Sequence, residues 1–102
     1  GRDVDESFLV AKELVARSPK SLPHRTTLAL AALRKDDAAG AISVYRGLQI
    51  PWERVDSRYR AVYAAALGAN GKTEEARTAA ASLHWDELRP EERELVKQWR
   101  TP

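Results

Sequence analysis

The chain contains no cysteine, no methionine and only two histidines among its 102 residues. Without cysteine it forms no disulfide and has neither a thiolate nucleophile nor a cysteine-ligated zinc site. No nucleophile is spaced around His24 or His84, and glycine-rich phosphate loops and zinc or calcium motifs are absent. We therefore expect no enzymatic activity, no catalytic residue, no metal, no cofactor and no small-molecule substrate. No run approaches the roughly 18 apolar residues of a transmembrane helix, so no membrane span is expected.

Charge is nearly balanced, with 17 Lys and Arg against 15 Asp and Glu and a formal net charge of +2. So small a surplus is not the concentrated basic patch that phosphate binding needs, which argues against a nucleic-acid partner. Because position 1 is Gly1 rather than methionine, we expect a segment of a longer protein. Abundant Ala and Arg suggest a bacterial source, whereas nothing in the sequence indicates a compartment.

Apolar residues recur at helical spacing in segments separated by Pro, Gly and Asp-Asp turns. Ser21, Asp37, Asp56 or Ser57, and Thr73 stand where N-caps are expected. These patterns predict six helices, at about residues 4–17, 22–35, 38–48, 56–70, 73–83 and 90–100. The last is polar on its outer face, as expected of a helix that ends an array.

The sequence also repeats itself with a period of about 35 residues. Leu28-Ala29 aligns with Tyr63-Ala64, and Ala41 aligns with Ala76. A period of this length with two helices per unit is typical of an α-solenoid, in which each helical hairpin buries its apolar face against its neighbours.

At these residues the chain resembles the tetratricopeptide repeat (TPR) family, over about residues 4–88. Leu28-Ala29, Ala41, Tyr45 and Leu48 follow the order of the family's motif. Arg25 and Arg60 depart from it, because an aromatic residue is usual there, so the repeats are degenerate. The same period suits the RNA-binding pentatricopeptide family, and an unrelated helical bundle is the remaining alternative.

The resemblance implies an all-α, right-handed superhelix of antiparallel helical hairpins, forming one TPR-like domain over residues 1–102. It comprises a half repeat at 4–19, repeat one at 22–53, repeat two at 56–88 and a capping helix at 90–100. In the family, the first helix of each repeat lines a groove that receives a peptide or partner helix. We therefore expect a scaffold or adaptor module for a protein or peptide partner. The alternatives are a helical accessory or regulatory domain of a larger enzyme whose catalytic part lies upstream, and nucleic-acid binding through an arginine face.

Two sets of residues are candidate partner contacts. Thr26, Leu30, Ala61 and Ala65 stand where carboxylate-clamping members of the family carry Lys and Asn, so no such clamp is expected. These small or apolar residues could seat an apolar segment or pack on a neighbouring helix. The basic set, which could receive an acidic peptide or phosphate or could be a solvated face, is Arg25, Arg34, Arg54 and Arg58, with Arg60 nearby.

The remaining expectations concern large apolar side chains. Trp52, Trp85 and Trp99 are expected to pack at repeat junctions and under the last helix. Phe8, Leu9 and Val10 on the first helix are expected to form an exposed apolar strip. Such a strip predicts weak self-association through the N-terminal helix, or coverage by a preceding part of the protein.

Overall fold

The computed structural model describes residues 2–100, and within that range the chain is all-helical, with no β-strand. The α-helices are α1 (Arg2–Arg17), α2 (Leu22–Arg34), α3 (Ala38–Ser43), α4 (Ser57–Ala69), α5 (Thr73–Ala81) and α6 (Pro90–Val96). Short 3₁₀ turns occupy Trp52–Arg54, Trp85–Glu87 and Lys97–Trp99. The predicted all-α class and six helices are confirmed. Among these residues no helix is long and apolar enough to cross a membrane.

The chain divides into two units, one up to Leu48 and one from Gln49 onward. In the first unit, α2 packs against both α1 and α3. In the second unit, α4 packs against both α5 and α6. Each unit is therefore built around one central helix with a partner on either side.

Short polar side chains cap three of the helices, as the sequence predicts. The capping oxygens accept backbone N–H bonds from His24 to Ser21 Oγ at 3.3 Å, from Gly40 to Asp37 Oδ1 at 2.9 Å and from Arg58 to Asp56 Oδ1 at 2.8 Å. The predicted cap of α5 is wrong, because Lys72 holds the N-cap position without a side-chain bond and Thr73 is already helical. The acidic residues Glu74 and Glu75 stabilise this first turn instead, by complementing the helix dipole.

The two hairpin turns have the same hydrogen-bond pattern. After α2, Asp36 has a φ of 60° and the Asp37 N–H reaches back to the Ala32 carbonyl at 2.9 Å. After α4, Gly71 has a φ of 77° and the Lys72 N–H reaches back to the Leu67 carbonyl at 3.0 Å. Both helices thus end in a Schellman motif with a left-handed residue, but only the second turn uses glycine there.

Replacing Asp36 by glycine is expected to raise the free energy of unfolding by about 0.5 kcal/mol. The left-handed conformation costs an L-residue about 1 kcal/mol, and roughly half of that gain is lost to the larger entropy of glycine in the unfolded chain. Gly71→Asp is the matched reverse change, and we expect it to lower the free energy of unfolding. Chemical denaturation followed by circular dichroism measures both. If both variants changed the free energy of unfolding in the same direction, the two turns would not be equivalent.

The third helix is shorter than predicted, ending at Ser43 rather than near Leu48. From Tyr45 onward the backbone bonds tighten, with the Tyr45 N–H bonded to the Ile42 carbonyl at 3.2 Å and the Arg46 N–H to the Ser43 carbonyl at 3.0 Å. Arg25 holds the end of this segment, because its Nη1 donates to the Val44 carbonyl at 2.6 Å and to the Arg46 carbonyl at 3.4 Å. In a continuing helix the Val44 carbonyl would accept from Leu48, whose N–H instead bonds to Tyr45 at 3.3 Å. The chain therefore tightens into turns and leaves the helical path at Gly47, which has a φ of 79°.

The fifth and sixth helices also end earlier than predicted. The fifth stops at Ala81, and Ser82 Oγ bonds back to the Ala79 carbonyl at 2.7 Å. The sixth stops at Val96, and the chain continues as the 3₁₀ turn to Trp99. In both places the last turn tightens, as is common at helix C-termini.

The core of the second unit lies where α6 covers the small-residue face of α4. Ala61, Ala64, Leu88 and Val96 form its buried cluster. Trp85 and Trp99 pack against this cluster, which confirms that they are packing residues. Alanine allows the two helices to approach closely.

Candidate functional site

An open groove of about 500 Å³ runs along α4 and α5 in the second unit. Tyr63 and Leu67 line it from α4, and Thr78 and Ala79 line it from α5. The third wall is the 3₁₀ turn that carries Trp52. The lining thus combines two large aromatic rings with aliphatic groups, as is typical of ligand sites on proteins.

The aromatic wall is a stacked pair. The Trp52 and Tyr63 rings are 4.2 Å apart between centroids, with an interplanar angle of 15°. Pro51 precedes the 3₁₀ turn, and its carbonyl accepts the Arg54 N–H at 2.8 Å, which fixes the turn that carries Trp52. The indole is half-buried, so this pair presents a preformed aromatic surface at the groove.

Carboxylates border the same groove. Glu53, Glu74 and Glu75 line it and are exposed. Glu74 forms an exposed ion pair with Arg77 at 3.4 Å, whereas no ion pair of Glu53 or Glu75 is found among residues 5–100. Burial raises the pKa of Tyr63, and the neighbouring Glu75 charge raises it further. Negative charge therefore lies beside the aromatic wall.

Arg60 also lines the groove, but its guanidinium is used internally. The residue is only 8% exposed, and its Nη2 donates to Ser57 Oγ at 2.9 Å. Its Nη1 donates to Ser82 Oγ at 3.3 Å. Ser57 Oγ in turn accepts the His84 backbone N–H at 2.9 Å, so one buried hydroxyl joins α4 to the segment that follows α5.

The arginines proposed from sequence have different surroundings. Arg25 is used to hold backbone carbonyls of the first unit, including that of Pro19. Arg58 is half-buried, and its Nε lies 3.8 Å from Glu92 Oε1. Burial raises the pKa of Glu92, and the Arg58 charge only partly opposes this shift. Arg34 and Arg54 are exposed, in the first and second units respectively.

The small and apolar candidates are mostly inside the protein. Ala61 is fully buried, Thr26 and Ala65 are each 7% exposed, and Leu30 is half-buried. Ala61 packs in the α4–α6 core, as expected if these residues pack on a neighbouring helix instead of seating a partner. A binding role for the eight residues proposed from the sequence stays a prediction. Several of them are buried, and the groove is more accessible than those residues.

The N-terminal helix has the exposed apolar side chains that its sequence predicts. Leu9 is 63% exposed and Val10 is 57% exposed. Phe8 is different, because it is half-buried and the Lys35 ammonium lies 4.2 Å from the centre of its ring. Self-association through Leu9 and Val10 stays a prediction.

No cluster of three or more potential metal ligands occurs in the range that the structure describes. In comparisons with known proteins, the chain matches no protein-family model, no curated protein and no solved structure.

The sequence does not predict the groove, although two of its residues carry a local signal. Trp52 directly follows Pro51, and Glu75 lies in the first turn of a helix after a glycine turn. Those signals indicate a turn and a helix start, not a site. The pairing of Trp52 with Tyr63 depends on how the turn folds back onto α4, which periodicity does not reveal.

Proposed function

We propose that this chain is a protein-interaction module of the TPR type, a scaffold or adaptor segment that binds a peptide segment of a partner protein. In this proposal the helical hairpins stack in a right-handed superhelix, and α6 is the capping helix. The module binds its partner and catalyses no reaction.

Three recurring features support the repeat assignment. The left-handed turn residues are Asp36 and Gly71, which the repeat aligns. Arg25 and Arg60 also align, and each inserts its guanidinium beside the C-terminal end of the following helix. After each of those helices comes a 3₁₀ turn that begins with a tryptophan. Shared local geometry of this kind is expected of repeated structural units.

The observation that carries the binding proposal is the stacked Trp52–Tyr63 wall in an open groove. Aromatic side chains in pockets dominate binding energy at protein interfaces, since they bury a large area and lose little conformational entropy. Leu67 and Ala79 complete an apolar floor of the size that one or two side chains of a peptide would fill. An extended segment lying along α4 and α5 would bury these groups.

A peptide-display selection tests this proposal. Peptides selected on the wild-type chain are expected to bind Trp52→Ala and Thr78→Arg at least about tenfold more weakly, since one variant removes the wall and the other fills the groove. Thr27→Arg is the matched control, because Thr27 is also an exposed helical threonine but lies in α2. It is expected to bind normally.

Circular dichroism first establishes that all three variants are folded. Selected peptides that bind both groove variants as well as they bind the wild type would show that the groove is not the site. Failure of the wild-type chain to select any peptide would contradict the proposed function as a whole.

A further inference from the structure

The accessible charge of the groove is negative. Four charged residues line it, and the single cation among them, Arg60, is buried and bonded to Ser57 and Ser82. Arg77 partly neutralises Glu74 through an exposed ion pair. Glu53 and Glu75 are exposed and form no ion pair within residues 5–100. A cationic group that enters the groove would therefore pair with these two carboxylates without breaking an existing ion pair.

The aromatic wall favours the same kind of ligand. The faces of Trp and Tyr rings carry negative electrostatic potential and attract cations, and a guanidinium can also stack on them. The second unit already contains such a contact, because the Arg100 guanidinium lies 4.1 Å from the centre of the Trp85 ring. The Trp52–Tyr63 pair presents a similar surface, but does so in a groove with carboxylates at its border.

We propose that the groove recognises an arginine side chain of the partner peptide, stacked on the Trp52–Tyr63 wall and paired with Glu53 and Glu75. This inference rests on the proposed function, because it names the chemistry of the peptide that the groove binds. The aliphatic stem of the arginine, or an apolar neighbour in the peptide, contacts Leu67 and Ala79. The groove disfavours an acidic residue, since the one cation among its described lining residues, Arg60, is already bonded to Ser57 and Ser82.

The electrostatics of the wall agree with this assignment. The charge of Glu75 contributes to the raised pKa of Tyr63, so the carboxylate field reaches the aromatic ring. The same field would stabilise a guanidinium over that ring, because the guanidinium is positive and the carboxylate is negative. Its binding should therefore weaken as ionic strength rises, because the carboxylates are exposed and screened by salt.

Synthetic peptide arrays test whether the charge or the shape of the peptide side chain determines binding to the groove. Each array has one fixed central residue, either arginine, its neutral and nearly isosteric analogue citrulline, or glutamate, with random flanking residues. The wild-type chain is expected to bind the arginine array about tenfold more strongly than the citrulline array, the sum expected of a stacked cation and two exposed ion pairs. The glutamate array is expected to bind most weakly.

Variants locate the source of the preference. Glu53→Gln together with Glu75→Gln is expected to reduce the preference for arginine over citrulline to about twofold. Glu87→Gln together with Glu94→Gln is the matched control, since both residues are exposed and neither lines the groove. The control is expected to keep the full preference.

The outcomes distinguish this inference from the proposed function. Equal binding of the arginine and citrulline arrays, with both lost in Thr78→Arg, would overturn the inference and leave the peptide-binding function intact. A preference for glutamate, or an arginine preference unchanged in the Glu53/Glu75 variant, would also overturn it. Absence of binding to every array would contradict both proposals.

Discussion

Replacing Gly68 by alanine is expected to lower the free energy of unfolding by about 2 kcal/mol, although alanine is the better helix former by about 1 kcal/mol. A Cβ atom at Gly68 would overlap the indole ring of Trp99, which lies against α4 at this point. Either the ring moves and loses its packing on the α4–α6 core, or the helices separate. Both responses cost more than the gain in helix propensity.

A second substitution shows whether the clash is the cause. In a Trp99→Leu background the shorter side chain leaves room for the Cβ, so Gly68→Ala is expected to be neutral or to stabilise by up to about 1 kcal/mol. Chemical denaturation of the four proteins in this double-mutant cycle measures the coupling. An equal loss from Gly68→Ala in both backgrounds would show that Trp99 is not what requires glycine.

The sequence predicted well those features that depend on neighbours along the chain. Helix number, the caps at Ser21, Asp37 and Asp56, and the turn at Gly71 all follow from short-range rules. Each cap depends on a side chain within a few residues of the backbone N–H that it satisfies, and the Gly71 turn depends on the freedom of glycine to adopt a positive φ. Local chemistry was therefore sufficient to assign an all-α fold.

The features that the sequence did not predict depend on contacts between distant residues. The Arg25 side chain, for example, donates to the carbonyls of Val44 and Arg46, which lie 19 and 21 residues further along the chain. The sequence presents Arg25 as a departure from an aromatic motif and as a candidate partner contact, and in the structure its guanidinium makes internal hydrogen bonds. An arginine at a core position of a repeat thus has a structural role when backbone carbonyls accept its N–H hydrogen bonds.

The candidate groove also depends on contacts between distant residues, so the sequence alone does not predict it. Its acidic residues and its aromatic residues come from a turn and two helices, and Trp52, Tyr63 and Glu75 lie far apart along the chain. Only the folded chain shows that the indole stacks on the phenol and that carboxylates border the pair. The candidate site is therefore a property of the surface that the hairpin assembles, in keeping with the general separation of fold and function.

The hydroxyl of Ser57 should be among the most important single groups for the stability of the second unit. It is fully buried and accepts from both Arg60 Nη2 and the His84 N–H at 2.9 Å. Ser57→Ala removes the acceptor for a charged donor and for a backbone donor, so we expect a loss of about 3 kcal/mol in the free energy of unfolding. Ser82→Ala is the comparison, since Ser82 is exposed and its bond to Arg60 is longer, at 3.3 Å. Its expected cost is below about 1 kcal/mol.

Removing both partners is expected to be less harmful than removing the acceptor alone. In Ser57→Ala combined with Arg60→Met, no buried cation is left without an acceptor, and the methionine keeps much of the arginine volume. We therefore expect the double variant to regain about 1 kcal/mol relative to Ser57→Ala, as chemical denaturation would show. If Arg60→Met instead lowered stability further in the Ser57→Ala background, the dominant contribution of Arg60 would be its bond to Ser82 or its packing. The relief of an unpaired buried cation would then be smaller than the stability that these other contacts of Arg60 provide.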